Sequence, residues 1–346
     1  DNFSTCVRMS SEPVSSNSNR TFTLDPYDNL TVGTTYLTRV TTGVKDAAGN
    51  TLSSQYETSN GFSTAGLFVA VGASGTLLTS SDGTTWTAQT SGTSNNLRAV
   101  AYDGSSTLVA VGFSGTILTS SDGTTWTSRT SGTSKNINNV HYGNSSFIGV
   151  GDNGTVLSSS DGITWTDETS DCGAWDNESL WDVAYGSSTW VAVGDNGSIY
   201  TSDGSTCTKR TSGTTVEFNE LIYGNSTFVA AGYNGTVLTS SDGTTWTSRT
   251  SNTTNALYGG TFIEYENGNK QHVLVGASGK VIYSSNYTSW STWVASSATA
   301  NIFGVDRGGT TWVWVGGSGT IYTSEDDETD VTARTSGTTE YLRRVF

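Results

Sequence analysis

The residues with chemistry to offer recur at a regular interval. Aspartate returns at Asp82, Asp122, Asp161, Asp203 and Asp242, each inside a Ser-Asp-Gly string. Carboxylates do general acid–base work or hold a cation only where several converge on one point. One acid per repeat, carried on separate outer turns, does not converge, so these five are read as structural. His141 and His272 are the only histidines, too few for a His-rich zinc site or a two-base mechanism. His141 is expected to be a packed residue. Cys6, Cys172 and Cys207 have no metal-ligand spacing; in an extracellular protein Cys172 and Cys207 can pair, leaving Cys6 to a partner outside this chain. The turns at Asp46–Asn50, Asp152 and Asp195 offer too few carboxylates for calcium. Neither a G-x-S-x-G elbow nor a phosphate-binding loop is present. No metal and no cofactor are expected.

These acids sit in a repeat. The segment Leu97–Thr130, LRAVAYDGSSTLVAVGFSGTILTSSDGTTWTSRT, returns with drift six further times. Asn286 and Asp326 hold the acid's position in two worn copies, so the intervals are 40, 39, 42, 39, 44 and 40 residues. Each copy reads as four short strands separated by Gly-bearing hairpin turns. A period of this size decides the fold. Four-stranded units that cannot bury both faces alone must stack, and around a ring they make a seven-bladed β-propeller, an all-β fold. The ends fix the closure. Gly66–Gly72, GLFVAVG, is a second strand with no first strand before it, and Tyr341–Phe346, YLRRVF, is a first strand with no followers. The C-terminal strand is therefore expected to complete the first blade. The propeller is assigned residues 65–346.

Composition agrees with a folded β protein. Only 34% of residues are apolar, but 11 Trp, 15 Tyr and 11 Phe supply core material. The net charge is −15, with 16 basic against 31 acidic residues. No basic cluster exceeds Arg343–Arg344, which excludes nucleic acid as a partner and disfavours anionic membranes. No apolar run is long enough to span a bilayer, and no signal-like stretch is present. The abrupt start at Asp1 suggests a chain processed or cut from something longer. Asn-x-Ser/Thr triplets, as at Asn144, Asn225 and Asn234, are expected by chance in so polar a chain.

The turn SSDGTTW resembles the Asp-box, or BNR, repeat of sialidases, photosystem II assembly-factor-like propellers and many bacterial surface proteins. That pattern is written S-x-D-x-G-x-x-W; Ser80–Trp86 is one residue shorter between Asp and Gly, which puts the turn geometry in question. The box reads as a hairpin staple: the carboxylate takes backbone N–H groups of its own turn, and Trp86, Trp126, Trp165 and Trp246 cover the hairpin. A sialidase would need three convergent arginines, a Tyr–Glu nucleophile pair, an acid/base Asp and a Pro-containing Arg motif early in the propeller. Pro13 and Pro26 both precede the propeller, and Arg129, Arg210, Arg249 and Arg334 share one outer-strand slot. A sialidase-like glycosidase is thus the least favoured reading, and no catalytic residue is assigned.

Residues 1–64 lack the repeat. Leu30–Leu52, LTVGTTYLTRVTTGVKDAAGNTL, looks like the late strands of an SbsA-type bacterial Ig-like domain, with Phe62–Thr64 as the closing strand. The resemblance implies a modular secreted parent whose opening strands, and a disulfide partner for Cys6, precede Asp1. Those strands would come from a separate fragment or, by strand addition, from a neighbouring subunit, which would allow self-association.

Function in a ring of repeats is expected where the copies differ. One free slot, in the second hairpin, holds Ala73, Phe113, Asp152, Asp195, Tyr233, Ala277 and Gly317. The other, one residue into the first strand, holds Arg98, Asn138, Trp181, Asn219, Tyr258, Phe303 and Arg343. Both lie toward one rim by strand order, and the mixture of flat aromatic and polar groups suits a carbohydrate or a peptide end. The same aromatics would also serve as packing between blades. The insertion Cys172–Ser179, with Trp175, lies on that side by connectivity. The expected function is a non-enzymatic, extracellular bacterial surface or adhesion protein. The alternative is a structural subunit of an extracellular filament or surface layer.

Overall fold

Every residue of Leu108–Gly112, LVAVG, is buried, as befits a strand covered on both faces. The computed structural model describes residues 66–169, 178–204, 206–265, 268–293, 299–325 and 331–346, with the backbone of six short strands between residues 14 and 63. Asp326, Cys6, the Asp46–Asn50 turn and, in the insertion, Cys172 and Trp175 lie outside the described residues. The chain divides into two units, Asp1–Gly66 and Leu67–Phe346. In the first, Val14–Ser16 pairs with Thr21–Thr23, Thr35–Tyr36 with Phe62–Ser63, and Arg39–Val40 with Tyr56–Glu57, all antiparallel.

The second unit is a propeller of seven four-stranded antiparallel sheets. Blade 1 runs, from the central channel outward, Leu342–Val345, Phe68–Gly72, Leu77–Ser80 and Thr87–Ala88. Its innermost strand is thus the C-terminal one, and Phe346 and Val69 exchange backbone hydrogen bonds of 3.0 and 2.9 Å. Blades 2 to 7 each use four consecutive strands, beginning with Leu97–Tyr102, Ile137–Gly143, Leu180–Gly186, Phe218–Gly224, Leu257–Glu264 and Ile302–Gly308.

The apolar core is divided into seven clusters, each lying between two neighbouring blades. Phe68, Ala70 and Leu78 of blade 1 meet Val313, Val315 and Ile321 of blade 7, and Leu342 and Val345 join that same cluster. No blade owns a core, so burial is complete only when the ring is closed.

The outer turns show why the Ser-Asp-Gly string recurs. The Asp82 carboxylate accepts N–H groups from Thr84 and Thr85 at 2.8 and 2.9 Å, and the Trp86 indole N–H bonds the Gly83 carbonyl at 2.8 Å. The same set recurs at Asp122, Asp161 and Asp242. These N–H groups hold the carboxylates well below the usual range. Asp203 keeps the bond from Thr206. Asn286 keeps both backbone bonds, from Thr288 and Ser289, with Tyr287 in the glycine's place at φ 65°. Glycine is otherwise required here: at Gly243, φ is +73°, and a Cβ would lie 2.7 Å from Val191 of the preceding blade.

Candidate functional site

Each inner strand carries one register shift, and it falls on the variable slot in all seven blades. The pairing jumps between Leu97 and Ala99, Ile137 and Asn139, Leu180 and Asp182, Phe218 and Glu220, Leu257 and Gly259, Ile302 and Gly304, and Leu342 and Arg344. Arg98, Asn138, Trp181, Asn219, Tyr258, Phe303 and Arg343 are therefore β-bulge residues. A bulge frees one residue from strict in–out alternation and re-aims its side chain. The second variable slot is fastened beside it. The N–H groups of Ala73, Phe113, Asp152, Asp195, Tyr233, Ala277 and Gly317 bond the carbonyls two residues before each bulge, at 2.9 to 3.2 Å. One backbone device thus brings both sets to the same mouth of the channel.

There the side chains divide into two groups. The Asn138 amide donates to the Leu180 carbonyl at 2.9 Å and to Asp152, and the Asn219 amide donates to the Leu257 carbonyl at 3.1 Å. Both are buried and join neighbouring blades. The remaining five form a surface. The Arg98 guanidinium lies 4.7 Å from the Phe113 ring centre and 5.0 Å from that of Trp181, whose indole N–H bonds Asp195. Arg343 lies 5.3 Å from the Phe303 ring. An aromatic arc runs from Tyr233 through Tyr258 and Phe303 to Tyr341, with ring centres 6.2, 5.4 and 6.3 Å apart. Tyr233 and Tyr341 are each 41% exposed.

A cavity of about 350 Å³ opens between blades 7, 1 and 2, walled by Leu97, Arg98, Phe303, Ser318, Tyr341 and Arg343 among others. Two wider and more open grooves, about 700 and 650 Å³, follow the outer strands and are lined by repeated Ser and Thr residues. Burial, and then the neighbouring Arg343, pull the Arg98 guanidinium down to about 10. Burial followed by Arg344 lowers Arg343.

Just inside the mouth lies a cluster that the repeat pattern does not announce. Arg344, next to a bulge, reaches across the channel to Glu220 at 2.5 Å and Asp182 at 3.8 Å. Asp182 also accepts the N–H groups of Val183 and Leu221. Burial raises both acids, against the pull of Arg344. Burial alone would lower Arg344, but Glu220 and Asp182 together outweigh it and raise it. Asp306 is pushed up to about 6 by burial, and His141 is drawn down to about 4 by burial and then by Arg344. His141 packs edge-on to Trp190. The sequence signal was an acid at Asp182 and Glu220 in the register that Arg344 occupies.

The arginines of the outer slot each bond a threonine of the adjacent strand. Arg129, Arg210, Arg249 and Arg334 donate through Nε to Thr119, Thr201, Thr239 and Thr323. Among the described residues no group of three or more His, Cys, Asp or Glu side chains could hold a metal, and no helix is long and apolar enough to cross a membrane. Cys207 is disulfide-bonded; its expected partner Cys172 is outside the described residues.

Residues 2–64 match the bacterial Ig-like domain family. No curated protein matches the chain. Among solved structures, YCF48 bound to D1 peptide shares 18% identity over 69% of this chain and 82% of its own, with a TM-score of 0.55. YCF48 from Cyanidioschyzon merolae shares 15% over 70% and 86%, with a TM-score of 0.53. The WD40 β-propeller domain of Doa1 shares 15% over 77% and 88%, also at 0.53. At these identities the likeness carries the fold alone.

Proposed function

We propose that this chain is a non-enzymatic binding protein of the bacterial exterior. Its propeller mouth docks a carbohydrate or protein ligand, and the Ig-like module carries the propeller. The observation that carries the reading is the placement of all seven sequence-variable bulges at one mouth, where five of them make a continuous Arg-aromatic surface beside a cavity. The solved YCF48 structure with a bound peptide lends support to a protein ligand. The disulfide at Cys207 favours an oxidising compartment, as does the bacterial Ig-like match. The SSDGTTW turns liken this propeller to the Asp-box repeat proteins, and the four outer arginines, each on a different blade and bonded to a threonine, favour a non-catalytic role.

The test is a glycan and matrix-protein array probed with the intact chain and with Trp181→Ala/Tyr258→Ala. Binding that disappears in the double variant supports the mouth as the site. Binding that persists unchanged, or turnover of a sialoside or polysaccharide by the intact chain, overturns the reading.

A further inference from the structure

Arg98 and Arg343 face one cavity, and neither forms an ion pair or hydrogen bond with a carboxylate among the described residues. Glu217, half-buried, lies in the field of Arg343 without bonding it, and the fully buried acids nearby are already engaged. Asp182 and Glu220 are taken by Arg344, and the Asp152 carboxylate receives the amides of Asn136 and Asn138. Two desolvated like charges in one wall are costly unless an anion completes them. Each guanidinium rests on ring faces, an arrangement that leaves its N–H edge free for a planar, bidentate acceptor.

The rest of the wall narrows the class. The Asn96 amide is committed at both ends, accepting from the Ser74 N–H at 2.9 Å and donating to the Tyr341 hydroxyl at 3.0 Å. What remains is the Ser318 hydroxyl, the proton of the Tyr341 hydroxyl and the rings of Phe303 and Tyr341, Leu97 itself being fully buried in the core. Its side-chain acceptors are the Ser318 and Tyr341 hydroxyls, with no carboxylate and no free amide oxygen in the wall. Saccharide hydroxyls need acceptors as well as donors. The volume, about 350 Å³, is near the lower end of ligand sites and holds one or two residues.

We propose that the cavity between Arg98 and Arg343 receives the free C-terminal carboxylate of a peptide ending in an apolar residue. This rests on the reading of the mouth as the binding face. The carboxylate lies between the two guanidinium edges, and the terminal side chain packs on the rings of Phe303 and Tyr341.

The test uses the intact chain and acetylated Gly-Ser-Gly-Ser-Leu, as the free acid and as the C-terminal amide, with oligogalacturonate as an acidic saccharide. Titration calorimetry is expected to show the free acid binding at least about tenfold more tightly than the amide. Arg343→Gln is expected to reduce the acid to the level of the amide. Acid and amide binding equally, both lost in Trp181→Ala/Tyr258→Ala, would keep the mouth as the site and overturn the carboxylate inference. Arginine-dependent binding of the saccharide alone overturns the peptide. No binding by any of the three overturns this proposal, while the array decides the mouth separately. A ligand-free measurement stands beside these. Arg98→Met removes a half-buried charge that no carboxylate hydrogen-bonds, so its melting temperature is expected to rise; a fall would make Arg98 a structural brace and overturn the assignment.

Discussion

The outer turns and the inner bulges are both repeated backbone devices, yet one keeps its side chains and the other changes them blade by blade. An outer turn is self-contained: Asp82 bonds Thr84 and Thr85, and Trp86 bonds Gly83, all within the turn. The best answer to that local problem is the same everywhere, so the string recurs. A bulge instead opens onto a space shared by seven blades, where Arg98 meets Trp181 two blades away and Arg344 meets Glu220. A shared space rewards complementary side chains over identical ones.

The contrast can be broken most strongly at the channel. Arg344→Ala leaves Asp182 and Glu220 buried without their cation and is expected to cost about 3–5 kcal/mol by urea unfolding. Arg344→Ala/Glu220→Leu should recover part of that loss. A smaller cost is expected in an outer turn. Gly243→Ala places a methyl group against Val191 at positive φ, worth about 2 kcal/mol, and the matching substitution at Gly83 should cost about the same.

Acidity sharpens the comparison next. His272 is buried between Phe262 and Tyr287 with neither ring nitrogen hydrogen-bonded, and burial draws it down to about 3. The unfolded chain therefore binds the extra proton below about pH 6.5, and stability falls as pH drops from there toward 3. His141, drawn down to about 4, acts in the same direction. Asp306, raised to about 6, acts oppositely between about pH 4 and 6, where the folded state holds the extra proton. The outer-turn acids stabilise above about pH 4 and lose that contribution only below it. Asp182 and Glu220, also raised, act with Asp306. A melting series against pH should therefore show the histidines and the buried acids opposing one another between 6.5 and 4, and a steep decline below 4. His272→Phe should remove up to about 2 kcal/mol of the loss at pH 5. The smallest stability effect, about 1 kcal/mol or less, is expected for Tyr258→Ala, despite its loss of binding.

Much of this architecture was legible in the chain itself. Blade number, strand order and closure followed from the repeat and from the pairing of YLRRVF with GLFVAVG, because hairpin spacing is local. The staple at Asp82 was legible for the same reason. The bulge was not, since it is a mismatch between two strands and neither string shows it alone. Asn138 and Trp181 occupy one slot, yet the first ties blades together and the second lies under Arg98. That division depends on what the next blade presents. Arg344 was hidden by distance, its bond to Glu220 spanning 124 positions in the chain.

The adjacency of Phe346 and Val69 also has a mechanical consequence. The chain enters blade 1 at Phe68 and leaves it at Phe346, at the same end of one antiparallel strand pair. A pull between these two points would peel the pair open one hydrogen bond after another instead of shearing all of them together, so little force is needed. Tension that arrived through one of these ends and left through a ligand held at the mouth would bypass that seam.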